Sequence, residues 1–327
     1  MAQKYLVIGG CGLLGRYVAK TLVDRGDMVE VLDIVQRYDD IPFHHGDISQ
    51  EGVVLSVLKK TGSDCVIHTA SPLATEAENS FFWRVNVHGT NNVISACIEA
   101  GVHKLVYTSS SGVIFSGSPI NGADETYPIP AKGFRAYHET KALAEKAVLD
   151  ANGKNGLLTC ALRPSGIFGP GDRAMMTAMY KTYQSGRTGM QIGDNTNLVD
   201  FTSVQNVAEA HVLAADRLSS PIRSDIPVAG EAFFITNDDP WFFWDFANAV
   251  WQRLGTYYPG KRVRKKPTII PMWVGIMIGA IMEIFGYLTG KKPVMTRLVA
   301  TMSATPRWHK ITKAKEALGY VPKVSMS

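Results

Sequence analysis

Residues 4–15 read KYLVIGGCGLLG, a short apolar run that ends in glycines at 9, 10, 12 and 15. The run suits a buried strand. LLGRYVAKTLVDRG follows with helical spacing, and Gly26 sits where a helix is capped at its C-terminus. Gly9, Gly12 and Gly15 thus form G-x-x-G-x-x-G across a strand, a turn and a helix. Missing side chains there permit a tight turn, close approach of a pyrophosphate and close helix–strand packing. The first amides of the helix add donors and a partial positive charge. Such a pattern is weak on its own. Here it fills the first βα turn, and Asp33 closes the next strand, MVEVLDI, 18 residues after Gly15. An acid at that place accepts both hydroxyls of an adenosine ribose and repels a 2′-phosphate. The stretch reads as a dinucleotide site that favours NAD. Arg37 close by leaves NADP open. GDI at 46–48 follows a short third strand, and Asp47 and Ile48 are adenine contacts or a simple turn.

The alternation continues along the chain. CVIHTAS, KLVYTSSS and LTCALRPSGIFG read as further strands with helical stretches between them. That order implies right-handed βαβ units and a parallel sheet covered on both faces. Ligands of such sheets bind at the carboxyl ends of the strands, where these motifs fall. The chain has 327 residues, 46% hydrophobic and 19% charged, which suits a packed α/β domain with an appended subdomain rather than disorder. A net charge of +5 is modest and partly local to GKRVRKKP, and no nucleic-acid surface is expected. Cys11, Cys65, Cys97 and Cys160 form no C-x-x-C pair, so buried free thiols are expected, with no disulfide framework and no zinc. MAQKYLVIGG does not have the form of a secretory signal.

In FRAYHETKALAEK, residues 134–146, Tyr137 and Lys141 lie four apart, on one face of a helix. A phenol with a pKa of about 10 is a poor proton acceptor at neutral pH, and a nearby ammonium favours the phenolate. Alone, the pair reads as a surface accident. Downstream of a dinucleotide turn, and 27 residues after a serine of a cluster that ends a strand, it reads as a tuned acid/base. His138 lies off that face, and no H-x-x-E-H cluster supports a metal.

GGCGLLG, Asp33, GDI, HTAS, VNVHGTNN, YTSSSGVIF, YHETK and RPSGIFGPGD together resemble the extended short-chain dehydrogenases/reductases, and within them the 3β-hydroxysteroid dehydrogenase group. YTSSSGVIF followed by YHETKALAEK is especially similar to the sterol-4α-carboxylate 3-dehydrogenases that decarboxylate. The resemblance spans residues 4–320. It implies an α/β fold with a Rossmann-type doubly wound parallel sheet, mainly in 1–165, and a smaller C-terminal substrate lobe, mainly in 166–327, with segments that return to the core. It implies that Tyr137 is the acid/base and that Lys141 binds the nicotinamide ribose and lowers the phenol's pKa. Alignment on Val113 selects Ser110 as the catalytic hydroxyl, with Ser109 and Ser111 as competitors. Gly9, Gly12, Leu13, Leu14, Gly15, Asp33, Arg37, Asp47 and Ile48 are its implied cofactor residues, joined by Thr69, Ala70, Ser71, Pro164 and Ser165. His68 belongs to the same cofactor-lining run. Asn86 is expected to organise the central helix.

DFTSVQNVAEAHVLAA reads as a turn and a helix. FFITNDDPWFFWDF reads as a strand and a capped helix, with Trp241 and Trp244 open to a ligand or to packing. Residues 268–288, TIIPMWVGIMIGAIMEIFGYL, carry one charge, Glu283, and Pro271 suits the first helical turn. The 17 residues of 272–288 make roughly 25 Å of helix, short of the ~20 residues that span a bilayer. Five basic residues in 261–266, and Lys291 and Lys292, flank the segment. A helix on an anionic membrane surface and a buried lobe helix are both open. Gly275 and Gly279 are too common a spacing to argue a helix dimer. A homodimer stays open.

The expected activity is NAD-dependent oxidation of a 3β-hydroxyl to a ketone on a sterol or triterpenoid. A 4α-carboxylate on that substrate would make the product a β-keto acid, which loses CO2 unaided. A plain 3β-hydroxyterpenoid dehydrogenase is the alternative. A sugar-nucleotide epimerase fits less well, because the apolar segment suits no polar pocket. A non-catalytic NAD(P) sensor would have dropped the Tyr or the Lys. The expected location is the cytoplasmic face of the endoplasmic reticulum or a lipid droplet, otherwise the cytosol.

Overall fold

The computed structural model describes residues 3–73, 78–218, 226–259, 267–291 and 293–326. The basic residues 261–266 and Lys292 lie outside the described residues. Seven strands build the main sheet: β1 (Lys4–Ile8), β2 (Met28–Asp33), β3 (Phe43–His45), β4 (Cys65–His68), β5 (Lys104–Thr108), β6 (Leu158–Pro164) and β7 (Ala232–Ile235). Their order is β3-β2-β1-β4-β5-β6-β7, and every pairing is parallel. This is the Rossmann-type doubly wound sheet. The order reverses between β1 and β4, so a crevice opens at the carboxyl ends of those two strands.

Helices cover both faces: α1 (Leu13–Arg25), α2 (Val53–Thr61), α3 (79–100), α4 (Ala136–Asp150), α5 (Met175–Gln184), α6 (Val204–Arg217), α7 (Phe243–Tyr257), α8 (Met272–Thr289), α9 (Arg297–Ala304) and α10 (Thr312–Leu318). Alternation along β1 splits the core. Tyr5 and Val7 pack with Leu14, Val18 and Leu22 of α1 and with α6 and α10. Leu6 and Ile8 pack with Val54 of α2, Val93 of α3 and Val148 of α4. Gly26 caps α1 at φ 94°, as its place in the sequence suggests. All four cysteines are free and buried.

Beyond residue 165 the chain both leaves and rejoins the sheet. β7 extends it at one edge, and α6 and α10 seal the α1 face. The rest forms the lobe. Its short strand Arg307–His309 runs between Leu198–Val199 and Ile120–Ala123. The helix expected in FFITNDDPWFFWDF begins at Phe243, and no side chain of its own N-cap holds it. Asn195, 49 residues away, accepts from the Trp244 amide instead. Trp244 donates to the Ile192 carbonyl and packs near Trp251, so it serves the lobe's own packing.

α8 is not a buried helix. Only Gly275, Gly279 and Gly286 are buried along it. That glycine stripe meets the following segment: a Cβ at Gly279 would lie 2.5 Å from the Arg297 amide. The G-x-x-x-G spacing thus serves packing within the chain. Glu283 is spent on the same side, accepting from the Arg297 amide and pairing with its guanidinium at 2.7 Å. Pro271 sits at the N-cap, one residue before the first turn.

Candidate active site

The glycine turn brings β1, α1 and the end of β4 together. Gly9 has φ 80°, and a Cβ there would lie 2.6 Å from the Ala70 amide. A Cβ at Gly15 would lie 2.2 Å from the Gly9 carbonyl. Thr69 donates to the Ile8 carbonyl and so ties the end of β4 to this turn. No side chain caps α1, so its first-turn amides, those of Leu13, Leu14 and Gly15, suit an anion. The Leu14 side chain itself is in the core. Asp33 accepts the Cys11 amide at 2.9 Å on one oxygen and the Ile34 amide at 2.7 Å on the other. A carboxylate has about four lone-pair sites, so capacity for a ribose remains. Arg37 donates to the Cys11 carbonyl, which sets its charge beside the same turn. These groups fit a dinucleotide. Asp47 spends one oxygen on the Ser49 amide as a turn aspartate does. Ile48 is buried against Gly89, leaving its backbone rather than its side chain for a nucleotide.

His68 departs from the expectation that it lines a cofactor. Its side chain is wholly buried, bonded to Thr90 and set against the Tyr107 ring. Ser71, three residues on, is half-buried and donates to Asn86. Asn86 lies in a π-helical stretch of α3, Trp83–Gly89, a distortion frequent at functional sites. Its amide donates to Thr140 of α4. One buried asparagine therefore links the loop after β4 to the helix that carries Tyr137.

Tyr137 stands half-buried in the first turn of α4, its ring edge-on to Phe82. Ser110 is the serine that reaches its phenol; its hydroxyl also accepts the Gly112 amide. Ser109 is buried instead, with no partner for its hydroxyl among the described residues. Burial raises the Tyr137 pKa above the usual phenol value, and the Ser110 hydrogen bond lowers it. The lowering expected from Lys141 is absent here. Lys141 is itself buried and donates to the Thr108 carbonyl at 2.7 Å and the Tyr107 hydroxyl at 3.3 Å. Burial pulls its pKa down to about 7, against a raising influence from Glu145. Glu145 already accepts from Nε and Nη2 of Arg163. Tyr107, which holds Lys141, opens YTSSSGVIF, and Thr140 lies within YHETK, yet neither motif assigned them a role. Pro164 ends β6, and the Ser165 carbonyl accepts from Thr202, so both stand at the same sheet edge. Among the described residues no cluster could hold a metal ion.

Solved structures share the whole architecture. A MoeE5 structure in complex with UDP-glucuronic acid and NAD superposes at TM-score 0.69 and 21% identity, covering 99% of this chain and 95% of that one. A Thermus thermophilus UDP-glucose 4-epimerase complex with NAD gives 0.70 and 21%, covering 99% and 95%. At that identity they bear on the fold alone. Sequence relatives are nearer. The decarboxylating sterol-4-alpha-carboxylate 3-dehydrogenase of Saccharomyces cerevisiae is 40% identical, over 98% of this chain and 94% of its own. The enzyme of that name from Homo sapiens is 37% identical, over 99% and 86%. Residues 6–264 match the 3-beta hydroxysteroid dehydrogenase/isomerase family. With that match and those identities, the chain belongs to the 3-beta hydroxysteroid dehydrogenase/isomerase family and is an oxidoreductase that works with a nicotinamide dinucleotide.

Proposed function

We propose that the protein oxidises the 3β-hydroxyl of a 4α-carboxysterol with NAD, and that the ketone formed loses CO2. The Ser110–Tyr137 pair, just past the carboxyl end of β5, carries this reading, in a chain so similar to the enzymes named above. A dinucleotide bound at the glycine turn would supply its nicotinamide as the acceptor of the hydride lost from the carbinol carbon. Gly9, Gly12 and the α1 amides would hold its pyrophosphate, and Asp33 its adenosine ribose. Asp33 favours NAD by charge over a 2′-phosphate. Ser110 orients the substrate oxygen, and Tyr137, as phenolate, takes the hydroxyl proton. Lys141 would hold the nicotinamide ribose. The product is a β-keto acid. Its carboxyl–C4 bond breaks, the electron pair enters the enolate and protonation gives the ketone. No residue is needed for that step.

The test offers purified protein NAD or NADP with 4α-carboxy-3β-hydroxysterols, 3β-hydroxyterpenoids and UDP-glucose. NADH should form with the carboxysterol, and Tyr137→Phe should lower kcat by about 10²- to 10⁴-fold. Turnover of UDP-glucose alone, or a Tyr137→Phe enzyme as fast as wild type, would end this reading.

We further propose that α8 lies in a lipid surface, the source of so apolar a substrate. Its 18 residues have mean hydropathy 1.6 and are only 17% buried. Trp273, Ile281, Ile284, Phe285 and Leu288 are all more than half exposed. Basic residues 261–266 adjoin it in sequence and suit anionic headgroups. Co-sedimentation with anionic vesicles decides it; protein left in the supernatant at low salt would rule it out.

A further inference from the structure

Arg307 lies partly buried on the lobe strand Arg307–His309. Its guanidinium sits over the Phe115 ring, 5.7 Å from the centroid. Its hydrogen bonds go to carbonyl oxygens, those of Met302 at 2.5 Å and Thr305 at 3.4 Å. Among the described residues no carboxylate lies within ion-pair distance of it. The acid whose charge reaches it, Asp200, accepts both the amide and Nδ1 of His309 on Oδ2. Burial pulls the Arg307 pKa down to about 10, only partly offset by the charge of Asp200. A desolvated guanidinium is normally paired with an anion.

Two buried rings, Phe115 and His138, connect this cation to Tyr137. Phe115 lies 6.0 Å from the His138 ring, and His138 lies 5.4 Å from the Tyr137 ring. The charge of Arg307, with that of Arg135, reaches His138 and helps burial hold its pKa down near 4. Positive potential therefore gathers at His138, the residue next to Tyr137 in the chain. A neutral 3β-alcohol gives such a field nothing to hold. A carboxylate on the carbon next to the carbinol would enter it as the hydroxyl reaches Tyr137.

We propose that Arg307 is a specificity-determining residue that receives the carboxylate of the substrate and sets the preference for carboxylated over neutral 3β-alcohols. The assignment rests on the function proposed above. A guanidinium binds a carboxylate through two parallel hydrogen bonds, which also fixes the ring's orientation. Stabilising the carboxylate does not assist its loss, so Arg307 acts on recognition and oxidation, and CO2 departs afterwards.

The experiment compares kcat/KM for a 4α-carboxy-3β-hydroxysterol with that for its 4α-methyl counterpart, in wild type, Arg307→Gln and Arg307→Lys. Loss of a charge-assisted contact corresponds to a fall in the acid-to-methyl ratio of roughly 10- to 100-fold. The fall should come mainly through KM for the acid, and Lys should restore part of the ratio. Arg307 also holds carbonyls at the end of α9, and that structural duty alone would move both substrates and the melting temperature together. An unchanged ratio in both variants overturns the assignment. A wild type that prefers the carboxysterol but keeps that preference in Arg307→Gln refutes the role of Arg307 alone. A wild type that oxidises neither sterol refutes the function and the assignment with it.

Discussion

Tyr137 and Lys141 are one helical turn apart, yet they answer to different neighbours. Tyr137 meets Ser110 and Phe82, and Lys141 turns inward to Tyr107 and the Thr108 carbonyl. Burial depresses the lysine's pKa to about 7, whereas in the unfolded chain it stays near about 10.4. Between those values the unfolded state holds the extra proton, so stability rises with pH there. Above the unfolded value this contribution is complete; it is lost as pH falls towards 7 and does not change further below. Lys141→Met removes the whole effect. With no cofactor added, its melting temperature should exceed that of wild type most at pH 7 and below, and the gap should narrow by about pH 9. Calorimetry across that range checks it, and a gap that widens with pH would contradict the burial described for Lys141. The candidate residues were legible because Y-x-x-x-K and T-S-S-S are local patterns. Tyr107 and Arg307 were not, because a strand tyrosine and a lobe arginine acquire their neighbours only when the chain closes.

The β1–turn–α1 unit follows from local rules, since an apolar strand and obligatory glycines leave little choice. α7 and α8 do not. The cap of α7 comes from Asn195 on another segment, which no window of sequence around Phe243 contains. An all-round apolar helix such as α8 reads alike for core and lipid. What separates them is the glycine stripe, which docks the helix by one narrow edge and leaves the larger side chains outside. Ile281, Ile284, Phe285 and Leu288 share one helical face. Each contributes about 1.5–3 kcal/mol if buried in lipid. Replacing all four with Ser should lower partition into anionic vesicles by at least roughly 100-fold. Because these side chains touch little of the protein, the melting temperature should hardly move. Undiminished vesicle binding would remove α8 as the docking face.

Across the molecule, the parallel sheet carries the glycine turn, and the lobe carries Arg307 and an apolar helix. The class of fold was readable from alternating strands and helices. The lobe was readable only as a region, because its strands are two to four residues long and Arg307–His309 pairs with segments more than 100 positions away. The proposed function implies an order of events: oxidation at Tyr137 first, carbon–carbon cleavage after. A 4α-carboxy-3β-hydroxysterol labelled in its carboxyl carbon reports both. With NAD, labelled CO2 and NADH should appear in equal amounts, and Tyr137→Phe should suppress them together. Without NAD, no labelled CO2 should be released. Labelled CO2 in the absence of NAD, or steady NADH formation in which the label stays on the sterol, would contradict oxidation followed by unaided decarboxylation.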